Sequence, residues 1–150
     1  MKKSPNHKGH ALRHSRFSEP GRIYLITTVT HERTMLFTDF QLGRLLVSTL
    51  RNARAQTLCY VVMPDHLHWL LQLEKEDLSS VMQGVKSVSA HSINRSRGTH
   101  RPVWQAGFHD HALRRDEDVK SVARYVVANP KRAGLVQRLG DYPLWDAMWL

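Results

Sequence analysis

Cysteine is almost missing from this chain. Cys59 is the only one, so no disulfide can form within the chain. Its place in the apolar run TLCYVVM suits an inert core thiol. Long apolar runs are missing too. No uncharged apolar stretch approaches the roughly 20 residues of a membrane helix, and the basic N-terminal segment lacks the apolar part of a signal peptide. A cytosolic protein with no membrane partner is expected. No Walker-type glycine loop occurs, so a nucleotide cofactor is not expected. Internal repeats and low-complexity tracts are absent. At 150 residues the chain reads as one domain with a real core. It is too short for a (β/α)8 barrel of at least about 200 residues, a fold in which His-x-His on a strand marks metal hydrolases.

Negative charge is scarce. Thirteen acidic residues face 22 basic ones, giving a net charge of +9. Such an excess favours polyanions, nucleic acid above all. No acid precedes Glu19, whereas Lys2, Lys3, Lys8, Arg13 and Arg16 do. Residues 1–19 are expected to form a flexible basic arm able to pair with phosphates. A folded domain is expected over 20–136 and a tail over 137–150, with Trp145 and Trp149 packing on the domain.

RIYLITTVTHE, opened by Gly21, has the β-branched and aromatic content of a strand. A helix is expected after Phe37, where Thr38 and Gln41 have capping-box spacing and Leu42, Leu45, Leu46, Thr49 and Leu50 share a face. TLCYVVM and DHLHWLLQL read as strands joined at the turn Pro64-Asp65. Asp77 caps a second helix with Leu78, Val81, Met82, Val85 and Val88 on its inner face, fading near Gly98. Residues 99–107 form a connection, and FHDHALR reads as a fourth strand. Asp116, Glu117 and Asp118 suit the positive end of a third helix running to about Ala128. Asn129-Pro130 interrupts it, and a short helical turn follows to Val136. The class is α+β. The order β-α-β-β-α-β matches the ferredoxin-like antiparallel sheet with two helices on one face, plus an added C-terminal helix that carries Tyr125. Fold alone does not give function.

Strand side chains alternate, so His66 and His68 point one way while Leu67, Trp69, Leu71 and Leu73 point to the helices. Two imidazoles on one face can converge on one divalent metal. They are too few for a tight structural zinc site, and an open, substrate-facing site suits them better. Two half-exposed sheet histidines without metal is the plainer alternative. His109 and His111 also share a face, around Asp110, and read as surface or DNA-contacting side chains. In the third helix Val119, Val122, Ala123, Val126 and Val127 form the apolar face. Tyr125 lies about 130° from its centre, so its hydroxyl must meet water, another surface or a substrate. Asn129 lies one turn beyond Tyr125 if the helix persists. It either offers an amide oxygen as a third ligand or caps a new turn begun by Pro130.

Taken together, GRIYLITTVTHERTMLF, YVVMPDHLHWLL, VWQAGFHDHALR and ARYVVANPKRAGLV resemble the HUH-type single-tyrosine transposases, most closely the REP-associated tyrosine transposases. The resemblance spans roughly residues 20–136. It implies metal ligation by His66 and His68 around Leu67 and by Asn129, a nucleophile in Tyr125, and Mg2+ or Mn2+ as cofactor. Imidazole ligands make Mn2+ plausible beside the oxygen-preferring Mg2+. It also implies single-stranded DNA with a hairpin as partner, cleaved and rejoined through a 5′-phosphotyrosine. A monomer is expected, a dimer being the arrangement of shorter relatives. An aromatic is expected where His109 stands, so no catalytic role passes to His109 or His111. Basic candidates for DNA contact are the arm, Lys86, Arg114, Arg115, Lys131 and Arg132. Trp104 and Phe108 can either stack on bases or pack in the core. Two rivals stand beside this reading: a non-catalytic binder of structured single-stranded nucleic acid, and a zinc hydrolase using His66 and His68.

Overall fold

The computed structural model describes residues 19–114 and 117–149. The basic arm up to residue 18, and Arg115 and Asp116, lie outside them. Strands β1 (Ile23–Val29), β2 (Ala55–Met63), β3 (His66–Leu73), β4 (His109–Ala112) and β5 (Trp145–Ala147) form one antiparallel sheet in the order β4-β1-β3-β2-β5. The first four strands are arranged as in the ferredoxin-like pattern. Helices α1 (Phe40–Arg51) and α2 (Leu78–Arg97) cover one face, and α3 (Val119–Val127), followed by the single turn α4 (Asn129–Arg132), lies on the other. None of the described helices is long and apolar enough to cross a membrane.

The alternation of β1 and β3 builds two cores. Tyr24, Ile26, Leu67, Trp69 and Leu71 meet Leu46 and Leu50 of α1 and Val81, Met82 and Val85 of α2. Trp69 is fully buried, and its Nε1 donates to Thr57 Oγ1 at 2.9 Å. On the opposite face Cys59, Val61 and Leu70 meet Ala123, Val126 and Val127 of α3. Burial pushes the Cys59 thiol up to about 12, so it stays protonated and inert, as its setting implied.

Three local expectations need correction. The cap of α1 is Asp39, not Thr38. Its carboxylate accepts from Gln41 N and Leu42 N, while Thr38 ends a 3-10 turn and donates to Met35 O. A carboxylate one residue later satisfies two orphan amide donors at once, and that decides the start. Val88 is 55% exposed, and the inner face of α2 continues through Ser89 and Ile93. Buried Ser89 is accommodated because its hydroxyl donates to Val85 O and accepts from Trp104 Nε1. The third helix runs to Val127 with Ala128 as its cap, as expected, but the turn after it stops at Arg132, short of Val136.

The tail adds a strand that local pattern does not announce. β5 pairs with the free edge of β2, and Tyr142 Oη donates to Val62 O at 2.6 Å. Leu144 is buried against α1 at Gly43, where a Cβ would run into Leu144 Cδ1. Trp145 is half-buried, its Nε1 donating to Leu139 O, whereas Trp149 is 38% exposed. Covering an open sheet edge in this way removes a template for intermolecular pairing. Leu144→Ala should therefore cost about 3 kcal/mol, the usual cost of emptying a buried leucine site. The check is the urea midpoint; a shift worth under about 0.5 kcal/mol would mean the tail is peripheral to the fold.

Candidate active site

His66 and His68 project from the start of β3 onto the face away from α1 and α2. Their rings meet edge to face, with centroids 4.8 Å apart and an interplanar angle of 85°. Each ring is held through its Nδ1. His66 Nδ1 lies 2.6 Å from Asp65 Oδ1, and His68 Nδ1 lies 2.9 Å from Thr27 Oγ1. Burial raises the Asp65 pKa, but hydrogen bonds from His66 and Arg33 outweigh it and hold the carboxyl below its ordinary value. An ionised carboxylate only accepts, so His66 Nδ1 carries the proton. Both rings thus have Nε2 left for another partner. Burial, helped by the charges of His66 and Arg132, lowers the His68 pKa to about 4. His68 is therefore neutral at physiological pH, the form that ligates a metal.

The support for Asp65 is built on strain. Arg33 Nη1 donates to Asp65 Oδ2 at 3.2 Å. Arg33 follows Glu32 in a 3-10 turn where both residues have positive φ, 52° and 54°. Non-glycine residues there cost on the order of 1–3 kcal/mol each. The turn is fixed by buried Thr30, whose N and Oγ1 donate to Asp65 O at 3.0 and 3.1 Å, with Oγ1 also reaching Thr34 O at 2.8 Å. Sequence pattern gave no role to Thr27, Arg33 or Asp65. Asp65 was hidden by its reading as a turn residue, and Thr27 is found only through strand register.

That register also locates the second histidine pair. Thr27 is opposite His68 on one side and His109 on the other. His109 therefore shares the face of the first pair, two strands away and exposed. His111 lies one row further, its Nε2 3.1 Å from Glu117 Oε1, a link that ties β4 to the start of α3.

The helical side of the site runs from Tyr125 to Arg132. Tyr125 is 66% exposed, as its angle from the apolar face predicts. The backbone stays α-helical through Ala128, and Arg132 N and Ala133 N donate to Ala128 O and Asn129 O. Tyr125, Asn129 and Arg132 thus follow i, i+4, i+7 spacing along one side. Pro130 has no N–H for Val126 O, its partner in an unbroken helix. Asn129 Nδ2 supplies the missing donor at 2.6 Å. This fixes the amide, since only its nitrogen end can donate to a carbonyl, and leaves Oδ1 as the other end. Asn129 does not cap the turn: Ala128 holds the cap position without a side-chain hydrogen bond, and Asn129 is the first residue of α4, one turn beyond Tyr125. Arg132 Cζ lies 3.7 Å from the Tyr125 ring centroid, and its charge acts on His68.

Among the described residues, no group of three or more His, Cys, Asp or Glu is arranged to hold a metal. Asn129 Oδ1, the end of the amide that Val126 O does not hold, is an oxygen of the kind a divalent cation takes. With each Nδ1 engaged and each Nε2 left over, the pair has the outer support typical of metal-binding histidines. The donor set fits a divalent cation.

The other candidates separate. Lys86 Nζ donates to Gln105 O at 2.8 Å and Gly107 O at 2.6 Å, clamping the connection before β4, and burial lowers its pKa. Trp104 and Phe108 pack against the larger core, Trp104 at 5.8 Å from Phe37. Arg114 is exposed at the end of β4, its backbone N bonded to Glu117 Oε1. Lys131 and Arg132 are exposed on α4.

Comparison with known proteins bears on this arrangement. The family model described as "Transposase IS200 like" matches residues 21–129. The REP-associated tyrosine transposase of Escherichia coli (strain K12) is 28% identical over 112 residues, covering 73% of this chain and 65% of that protein, just under two thirds of its length. A Haemophilus influenzae protein provisionally given the same name is 26% identical over 137 residues, covering 82% of this chain and 78% of that one. A solved structure of a REP-associated tyrosine transposase bound to a REP hairpin superposes with a TM-score of 0.69 at 26% identity, over 87% of this chain and 79% of that one.

Two outcomes follow from the geometry. Asp65→Asn should weaken Mn2+ binding by about 10–100-fold, read from the free Mn2+ signal in a paramagnetic resonance titration; unchanged affinity would remove Asp65 from the site. His68 sets an acid limit on stability. Its folded pKa of about 4 lies below the ordinary 6.5, so between these values the unfolded chain binds a proton that the folded chain refuses. Its contribution is complete above pH 6.5, falls as pH drops towards 4 and levels off below. Urea midpoints across that window should fall less steeply in His68→Asn; parallel curves would contradict the burial of a neutral ring.

Proposed function

This chain belongs to the IS200-like transposase family, enzymes that cut DNA strands and join them, and from that membership we propose that it acts on single-stranded DNA beside REP-type hairpins through a 5′-phosphotyrosine link on Tyr125. The observation that carries the reading is an exposed tyrosine, stacked under a guanidinium, on the helix that packs against the sheet face bearing a braced histidine pair. The chain's relatives carry names that refer to REP elements, and one was solved with a REP hairpin.

Each residue has a task in this chemistry. Tyr125 Oη attacks phosphorus and displaces the 3′ oxygen, which leaves as a hydroxyl after taking a proton from water. The phosphodiester becomes a phosphotyrosyl ester, so a free 3′-hydroxyl can reverse the step and rejoin strands. High exposure lets the ring reach a substrate strand without opening the fold. An ordinary tyrosine has a pKa near ~10, so the phenol's proton passes to water or to a basic group supplied with the substrate. His66, His68 and Asn129 Oδ1 would hold Mg2+ or Mn2+, which when bound supplies Lewis-acid polarisation of a phosphate oxygen. Asp65 and Thr27 hold the two rings so that the same nitrogens face the substrate side. Arg114, Lys131 and the basic arm are candidates for backbone phosphate contacts.

The test mixes protein, Mn2+ and labelled single-stranded hairpins and looks for a labelled protein band that survives SDS. We expect a band with the wild type and its loss in both Tyr125→Phe and His66→Ala. Hairpin binding with no covalent band, under Mg2+ and Mn2+ alike, would instead support a non-catalytic binder.

A further inference from the structure

Arg132 is exposed and lies against the proposed nucleophile. Its guanidinium carbon lies 3.7 Å over the Tyr125 ring. Among the described residues it makes no ion pair with a carboxylate, and its helical position is set by Arg132 N donating to Ala128 O. The side chain on which it stacks offers a π face, which engages the plane of the guanidinium and leaves its edge N–H groups for other acceptors. A phosphate that approaches the Tyr125 hydroxyl therefore comes within reach of those N–H groups.

We infer that Arg132 is a catalytic residue whose guanidinium edge binds a non-bridging oxygen of the phosphate that Tyr125 attacks. The inference rests on the proposed phosphotyrosine reaction and adds a second anchor to it. As the Tyr125 Oη–P bond forms and the P–O3′ bond breaks, charge builds on the non-bridging oxygens, and a fixed planar donor strengthens its hydrogen bonds at that moment. The phenol's proton leaves to water and the 3′ oxygen takes one from water, so no further reactant is required. Stacking on Tyr125 also fixes the direction of the ring before substrate arrives, which favours an in-line approach. Lys131, the neighbour, has no comparable stack and belongs with ordinary backbone contacts.

The experiment measures single-turnover covalent capture and hairpin affinity for the wild type, Arg132→Ala, Arg132→Lys and Lys131→Ala. Arg132→Ala should lower the saturated rate by about 100-fold or more with hairpin affinity changed less than about threefold. Millimolar guanidinium chloride, well below denaturing strength, should restore part of that rate in Arg132→Ala and do nothing for the wild type. Arg132→Lys should fall between, since a point charge replaces a fork. Lys131→Ala should change affinity alone. A saturated rate within threefold of the wild type overturns the inference, as does a loss confined to affinity or a rate loss that guanidinium does not relieve. Each of these leaves Tyr125 as nucleophile. Absence of any wild-type covalent product, or a product that persists in Tyr125→Phe, is a failure of the parent reading instead.

Discussion

Everything at this site depends on the period of two in β3. Leu67, Trp69, Leu71 and Leu73 must face α1 and α2, where each is at most 2% exposed. His66 and His68 are then forced to the other face. A slip of one residue would drive two imidazoles into the packing against α1 and α2 and turn a tryptophan and three leucines out of it onto the half-buried face of His66 and His68, at a cost of several kcal/mol. The core thus selects the register, and the register selects the site. The same rule carries Thr27 and His109 into the row of His68.

A second constraint acts on the helical side. The apolar stripe of α3 must lie on Cys59, Val61 and Leu70, which turns Tyr125 outward. Pro130 would normally end such a helix. Here the Asn129 amide replaces the proline's missing donor, and the helical course continues far enough to bring Arg132 back over the tyrosine. A backbone repair and a candidate ligand are therefore one side chain. The strained turn at Glu32 and Arg33 has the same character: unfavourable backbone is tolerated where it holds a carboxylate against His66.

Much of this was legible in the sequence. Strand alternation gave the face of His66 and His68, helical periodicity gave the exposure of Tyr125, and four motifs in order gave the family. What escaped was non-local. Asp65 and Thr27 act through partners in space, so neither spacing nor propensity marks them. The α1 start shifted from Thr38 to Asp39 because two acceptable caps stood side by side. Val88 and Ser89 exchanged places because Ser89 has two hydrogen-bond partners, one of them Trp104, fifteen residues away. β5 has only three residues, too short for a local signal, and is a strand because β2 has an edge to fill. Lys86 read as a candidate DNA contact, and only the folded connection before β4 brings two carbonyls onto its ammonium.

The central claim is that one end of β3 and one side of the α3–α4 segment build a single centre. Anomalous scattering from crystals grown with Mn2+ tests it directly. The account predicts one strong peak within bonding distance of His66 Nε2, His68 Nε2 and Asn129 Oδ1, facing Tyr125. A peak at His109 and His111, or one held by the histidine pair with Asn129 turned away, would contradict it.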